Sequence, residues 1–258
     1  MNVRDIERAA RFAWPASEEE ELPYGVLRHA SGLDRRTNAL CLHPDVELVP
    51  IELIGAAEKY FCDRNSAPVV RIVCSEDSSL SALAEVDREF DSRGYEKQSP
   101  TLTMLLDLTV VSGFRKPSGN EPEPVADLSS WLRAWSGLRG MPFEGFAVHR
   151  KVLAKLEPSK LLLLSHSVAG VPLSTGMGVL SGRNVGLFGI ATAIGHRQQG
   201  YASEIVSSLL RWARRGGARF AYLQVEESNG SAIKLYSKMG FATFYSYWYR
   251  VGKHGSGS

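Results

Sequence analysis

An α/β fold is predicted by three observations. Between Arg183 and Phe241 an apolar, β-prone run (Val185 to Thr192) leads into the turn Arg197-Gln198-Gln199-Gly200-Tyr201-Ala202 and on into a helix. The helix carries Ala202, Ile205, Val206, Leu209, Leu210 and Ala213 at intervals of three and four, which sets one stripe on one face. Elsewhere β-prone runs alternate with segments of helical period, and 258 residues at 44% hydrophobic and 22% charged suffice for a sizeable core in one or two domains.

Taken in order, residues 4–13 read as a helix that Trp14-Pro15 breaks. Ser17 and the four glutamates after it read as a solvated acidic loop. Residues 24–42 alternate as a hairpin with Gly32 near its turn. Pro50 opens a helix to about Phe61, since proline suits a first helical turn. Val69–Cys74 is a strand, Leu80–Phe90 a helix that Gly94 stops, and Thr101–Val111 a further strand. RKPSGNEPEPVAD (115–127) has linker composition and separates an N-terminal domain (1–112) from a C-terminal one (128–251), with the linker spanning 113–127. Helices follow at Leu128–Leu138 and Phe143–Leu156. A hairpin (Lys160–Val168, Val171–Leu180) turns at Ala169-Gly170, and Ala242–Val251, rich in β-prone aromatics, reads as a last strand pair. Residues 252–258 read as an appended tail.

Composition excludes several classes of function. No run approaches the roughly 18 apolar residues of a membrane span, and the first ten residues lack the apolar core of a signal peptide, so a cytoplasmic protein is expected. Cys41, Cys62 and Cys74 are odd in number and lack CxxC spacing; they read as reduced thiols, and no metal is expected. Residues 1–112 hold 12 Lys/Arg against 20 Asp/Glu (−8), whereas 113–258 hold 18 against 8 (+10). A basic half suits a polyanionic ligand. Nucleic acid is the competing partner, because Arg211, Arg214, Arg215 and Arg219 cluster, but cations at a helix end also complement its dipole.

A strand running into a glycine-containing turn and a helix start is a device for holding phosphate, because N–H groups of the first helical turn converge there. Arg197-x-x-Gly200-x-Ala202 resembles the (Gln/Arg)-x-x-Gly-x-(Gly/Ala) signature by which the GNAT acetyltransferase superfamily binds the pyrophosphate of acetyl-CoA. Leu223-x-Val225-x-x-x-Asn229-x-x-Ala232-x-x-Leu235-Tyr236-x-Lys238-x-Gly240-Phe241 resembles the family's second signature, in the expected order and spacing. The resemblance covers about residues 128–250.

That resemblance implies an acetyl-CoA-dependent N-acetyltransferase whose C-terminal domain is a central mixed β-sheet flanked by helices. It places the N–H groups across Gln198, Gln199, Gly200, Tyr201, Ala202 and Ser203 on the pyrophosphate, with Arg197 contacting phosphate or shaping the loop. It implies that Ile190, Ala191 and Thr192 lie beside the pantetheine arm on a bulged strand whose backbone donors polarise the carbonyl; Gly189 is compatible with such a bulge. Asn229 would touch the CoA arm, and is a good helix N-cap on physical grounds alone. Tyr236 would be the general acid, a phenol of pKa about 10 returning a proton to a thiolate of about 8.5; it also fits a buried stripe with Ala232 and Met239. For the general base, Glu226 at the strand end is preferred over Glu227, and His149, His166 and His196 read as surface or structural residues.

Phe90-Asp91-Ser92-Arg93-Gly94-Tyr95 resembles Tyr236-Ser237-Lys238-Met239-Gly240-Phe241, so the first half reads as a degenerate GNAT copy without a phosphate turn; an unrelated α+β domain is the alternative. The acceptor is expected to be a small-molecule primary amine attacked in a ternary complex. A protein or peptide N-terminus or lysine, a non-catalytic acyl-CoA sensor, and an aminoacyl-tRNA-dependent transferase are the competing readings. The last generally lacks an intact pyrophosphate turn, which this chain has.

Overall fold

The computed structural model describes residues 1–30, 34–46, 51–75, 80–111, 113 and 121–253. Gly32, Pro50, residues 115–120 of the predicted linker and the tail beyond Lys253 lie outside the described residues. The first half supplies α1 (Val3–Ala13), β1 (Glu18–Leu22), β2 (Gly25–His29), β3 (Ala39–Leu42), α2 (Ile51–Cys62), β4 (Val69–Cys74), α3 (Leu80–Ser92) and β5 (Glu96–Asp107). The second supplies β6 (Glu123–Pro124), α4 (Leu128–Leu138), α5 (Ala147–Leu153), β7 (Leu161–Val168), β8 (Val171–Ser181), β9 (Asn184–Thr192), α6 (Tyr201–Arg215), β10 (Phe220–Glu226), α7 (Gly230–Lys238) and β11 (Ala242–Val251). The mixed sheet flanked by helices is the predicted class. Among the described residues, no helix is long and apolar enough to cross a membrane.

All the strands join one sheet in the order β1-β2-β3-β4-β11-β5-β10-β9-β8-β7-β6. Two strands have changed places across its middle. β5, from the first half, pairs antiparallel with β10 from Thr101↔Glu226 to Asp107↔Phe220. β11, from the second half, pairs antiparallel with β4 from Cys74↔Ser246 to Val69↔Val251. β5 and β11 pair with each other at the centre. Outwards from that centre the two sides correspond, with the parallel pair β4/β3 answering the parallel pair β10/β9. Arg250 on β11 is locked to the first half: it donates to Asp87 (2.6 and 2.8 Å), to Asp91 (2.8 Å) and to the carbonyl of Tyr95 (2.9 Å).

Alternation along the strands sends side chains to two faces. Tyr245, Tyr247 and Tyr249 of β11 enter the core covered by α1, α4 and α5, while Trp248 turns to the core under α2 and α3. A third core lies under α6 and α7, with Met104, Leu106, Val185, Leu187, Ala221 and Leu223 from the strands. Helix α1 starts with a capping box, the Asn2 side chain accepting the Asp5 N–H at 2.8 Å. It packs on β8 and β9 of the opposite half.

Four local expectations are corrected. Glu18–Glu21 form an edge strand instead of a loop, since solvent-facing carboxylates suit an edge that must not recruit another strand. β5 covers Glu96–Asp107 instead of Thr101–Val111, because Asp107 Oδ1 accepts from the N–H and hydroxyl of Thr109 (2.9 and 2.6 Å) and so closes a turn. The segment Phe143–Leu156 divides into a 3-10 turn (Phe143–Phe146) and the short α5. Ala242–Val251 is one strand instead of a pair, the neighbouring place being taken by β5.

Where α1 meets the sheet, a buried polar cluster ties the halves together. Arg71 of β4 makes a two-pronged ion pair with Glu7 of α1, and the Tyr245 hydroxyl donates to the same carboxylate. Burial alone would raise the Glu7 carboxyl, but Arg71 and the bonds from Arg71 and Tyr245 outweigh it and hold the group below the usual carboxylate range. A depressed folded value means that this stabilisation is complete above the unfolded value of about 4.3 and is lost as pH falls through the folded value. Glu7→Gln leaves Arg71 buried without a counter-charge and should cost about 3–5 kcal/mol in urea unfolding at pH 7. The variant should also lack the part of the acid-induced decline below about pH 4 that Glu7 contributes to the parent.

Candidate active site

The site is assembled where β9 hands over to α6. After Thr192 the Ala193 N–H bonds the Leu173 carbonyl (2.8 Å) and a 3-10 turn spans Ile194–His196. The chain then takes positive φ twice, at Gln198 (62°) and at Gly200 (94°), the N-cap of α6. Asparagine or glycine is favoured in this region, and Gly200 is the residue on which the helix pivots. Glu204 N–H reaches the Gly200 carbonyl at 3.1 Å, the first intrahelical bond, so the amides of Tyr201, Ala202 and Ser203 have no acceptor within the helix. The predicted apolar stripe fixes the helix, with Ile205, Val206, Leu209, Leu210 and Ala213 all buried.

Beside this turn, β9 is bulged and splayed. Thr175 pairs with Ala191 and Met177 with Phe188, so β9 has one extra residue at Gly189-Ile190. Gly189 has φ +59°, and a Cβ there would lie 2.4 Å from Trp131 Cη2. Trp131 cannot easily give way, because its Nε1 donates to the Leu164 carbonyl (3.1 Å) and its ring stacks on Trp135 (5.6 Å). Hydroxyls of β8 hold the bulge: Thr175 Oγ1 donates to Gly189 O (3.0 Å) and Ser174 Oγ to Ala191 O (2.7 Å). Pairing of β9 with β10 ends at Leu187↔Leu223, and beyond it the two strands part.

The parting opens a cleft of about 1600 Å³. Its walls bring together Ile190, Ala191, Thr192, Arg197, Gln198, Gly200, Tyr201, Ala202, Ser203, Glu226, Asn229 and Tyr236. Gln199 is the one predicted residue outside the lining; its amide instead donates to the Gly195 carbonyl at 3.3 Å. Asn229 caps α7, its Oδ1 accepting the Ala232 N–H at 3.2 Å. Tyr236 is 7% exposed and belongs to the core under α6 and α7, yet it also lines the cleft, so the two readings of this residue coexist. Burial pushes its phenol up to about 12 and keeps it protonated at neutral pH. Glu226 is exposed at the end of β10, where its carbonyl accepts the Asn229 N–H (2.9 Å).

The three histidines are dispersed. His149 is packed among Trp14, Trp135 and Phe146, and burial lowers its pKa. His166 lies beneath Tyr201 with Nε2 4.0 Å from Glu204 Oε2, and His196 lines the cleft. Burial also raises the Cys41 thiol, which disfavours its reactive thiolate form. Of the basic cluster, Arg211 pairs with Glu121 (3.0 Å), Arg219 with Asp107 (3.6 Å), and Arg214 donates to the Val111 carbonyl (3.1 Å). These arginines serve internal contacts.

The cleft continues through the sheet to residues that sequence reasoning misses. Trp14, Arg36, Trp135, Phe188, Tyr247 and Tyr249 line its far end, on the face covered by α1 and α4. Trp14 is legible in the sequence only as a helix stop, and Arg36 sits in a 3-10 turn without a motif. The period-2 aromatics of β11 are the one signal that points there.

The sequence family described as Acetyltransferase (GNAT) family matches residues 131–241. The Bacillus subtilis (strain 168) protein described as "Uncharacterized N-acetyltransferase YobR" is 27% identical over 255 residues, covering 97% of this chain and 98% of that one. Among solved structures, a GCN5-related N-acetyltransferase from Kribbella flavida superposes with a TM-score of 0.69 at 17% identity, covering 96% of each chain. A tandem GNAT protein from the clavulanic acid biosynthesis pathway gives 0.65 at 9% identity, over 98% of this chain and 89% of that one. With the strand–turn–helix signature, the bulged strand and the splayed cleft in place, residues 131–241 are similar to the Acetyltransferase (GNAT) family, and the chain as a whole shares the fold of the N-acetyltransferase structures it superposes on.

Proposed function

We propose that the protein transfers an acetyl group from acetyl-CoA, or another short acyl group from the corresponding acyl-CoA, to the primary amine of a small molecule. The observation that carries this reading is one continuous cleft in which the Gly200 turn, the Gly189 bulge and Tyr236 all meet. The residues fit a CoA donor: the left-handed Gly200 and the first α6 amides form a phosphate cradle, and the splay beyond Leu187 leaves a slot for an extended arm. Acetyl-CoA supplies the activated acyl group. The amides of Gln198 to Ser203 bind and orient its pyrophosphate, and Asn229 flanks the arm. Gln199 contributes there through its backbone. Backbone donors of Ile190, Ala191 and Thr192 polarise the acyl carbonyl. Glu226, directly or through water, takes the proton that the amine must lose, and Tyr236 returns one to sulfur as the C–S bond breaks and the N–C bond forms. Burial that raises the Tyr236 phenol would raise a thiolate in the same enclosed space too, which keeps the proton transfer matched.

A panel of primary amines assayed with acetyl-CoA for release of free thiol tests the proposal. Amine-dependent thiol and a product heavier by one acetyl group are the expected result. CoA binding without thiol release for any small amine would instead make the protein a sensor, and release only with peptides would make it a protein acetyltransferase.

A further inference from the structure

The far end of the cleft has its own chemistry. Arg36 lines it, and among the described residues no carboxylate forms an ion pair with its guanidinium, although the neighbouring Arg28 and Arg71 are each matched, to Glu19 and Glu7. Its Nε is enclosed without an acceptor, and its cation lies 5.3 Å from the Trp14 ring centre and 5.7 Å from that of Phe188. The Trp14 Nε1 is likewise an enclosed donor without an acceptor. Enclosed donors of this kind are costly to leave unmade. Arg35 and Arg139 line the same end, against one acidic residue there, Asp34, which shares the turn with Arg36. The surrounding surface is aromatic: Trp135, Phe188, Tyr247 and Tyr249.

From this geometry we infer that the acceptor is an amine that also carries a carboxylate, and that Arg36 of the first half binds this carboxylate against the aromatic wall. The inference rests on the acetyl-transfer reading above. A planar carboxylate matches the guanidinium fork, whereas Asp34 on the same turn disfavours the second negative charge of a phosphate monoester. The first half thereby gains a role. Without a phosphate turn of its own, it supplies the anchor that presents the amine to the donor held by the second half. Arg36 is thus a specificity residue and takes no part in the bond exchange.

The test uses matched amines at saturating acetyl-CoA: 4-(aminomethyl)benzoate against benzylamine, phenylalanine against phenethylamine, and 4-(aminomethyl)phenylphosphonate as the dianionic arm. The parent enzyme should favour at least one carboxylate over its neutral partner by about tenfold or more in kcat/KM, and favour it over the phosphonate. Arg36→Met should erase that preference through KM for the amine, with KM for acetyl-CoA unchanged, and Arg36→Lys should restore part of it. No preference for the carboxylate in either pair, or a preference that survives Arg36→Met, would overturn the inference. If no amine releases thiol, the acetyl-transfer reading fails on its own. The carboxylate site is then read by calorimetry, titrating the CoA-loaded protein with 4-methylbenzoate. Binding by the parent that Arg36→Met abolishes supports the site, and absence of binding by the parent refutes it. Unchanged melting temperatures of the Arg36 variants would exclude unfolding as the cause.

Discussion

Replacing Tyr236 with phenylalanine is expected to lower kcat for acetyl transfer by about 10²–10⁴-fold, the usual span for a lost general acid, while the Kd for CoA stays within about twofold of the parent, a shift well under the 1.4 kcal/mol that a tenfold change requires. The reasoning starts from placement. The ring packs in the core beneath α6 and α7 and stands edge-on to Phe241 at 6.1 Å, contacts that phenylalanine keeps. What disappears is one hydroxyl, from a residue that also lines the cleft. Because its pKa is about 12, the hydroxyl carries a proton throughout the neutral range, so the parent's rate should show no loss below pH 9 that traces to Tyr236. Measuring kcat by thiol release and Kd by calorimetry separates the roles. Equal loss of both would make Tyr236 a binding or packing residue, and loss of neither would remove it from the mechanism.

Gly200→Val should weaken CoA binding by about 10- to 100-fold, from the roughly 1–3 kcal/mol that a side chain at positive φ costs. Valine, β-branched, tolerates φ of 94° poorly. The turn would relieve the strain by rotating the amides of residues 198–203 away from the positions they share in the parent. Helix α6 itself should persist, since its buried stripe begins a full turn later at Ile205. Gly200→Asn provides the control, because asparagine enters the left-handed region more readily and should retain much of the affinity. Calorimetric titration with CoA reads both variants. If Gly200→Val bound CoA as the parent does, the phosphates would have to be held elsewhere.

Much of this fold is legible in the chain alone. Residues whose neighbours in space are neighbours in sequence can be read directly: the Ala169-Gly170 hairpin turn, both residues at positive φ; the bounds of α4; and the Arg197–Ala202 turn between strand and helix. Gly189 is compatible with a bulge, and the register shows one. What escapes is long-range. Nothing local to Glu96–Pro100 says that its partner is β11, because strand periodicity marks which face is buried and leaves the identity of the neighbour open. Arg36 escapes for a related reason. Its significance comes from Trp14 and Phe188, which reach it from two other elements, and from there being, among the described residues, no carboxylate ion-paired to it as there is for Arg28 and Arg71.

The position of β11 bears on how such a chain can assemble at all. The strand made last among these eleven lies between two strands made early, so a nascent chain that has not yet released residue 242 holds β4 and β5 as facing open edges. Closing that seam joins Val69 to Val251, a contact across most of the polypeptide, and such distant pairings are entropically costly and slow. Until it closes, neither half has a finished sheet, because each half completes its own side with a strand lent by the other.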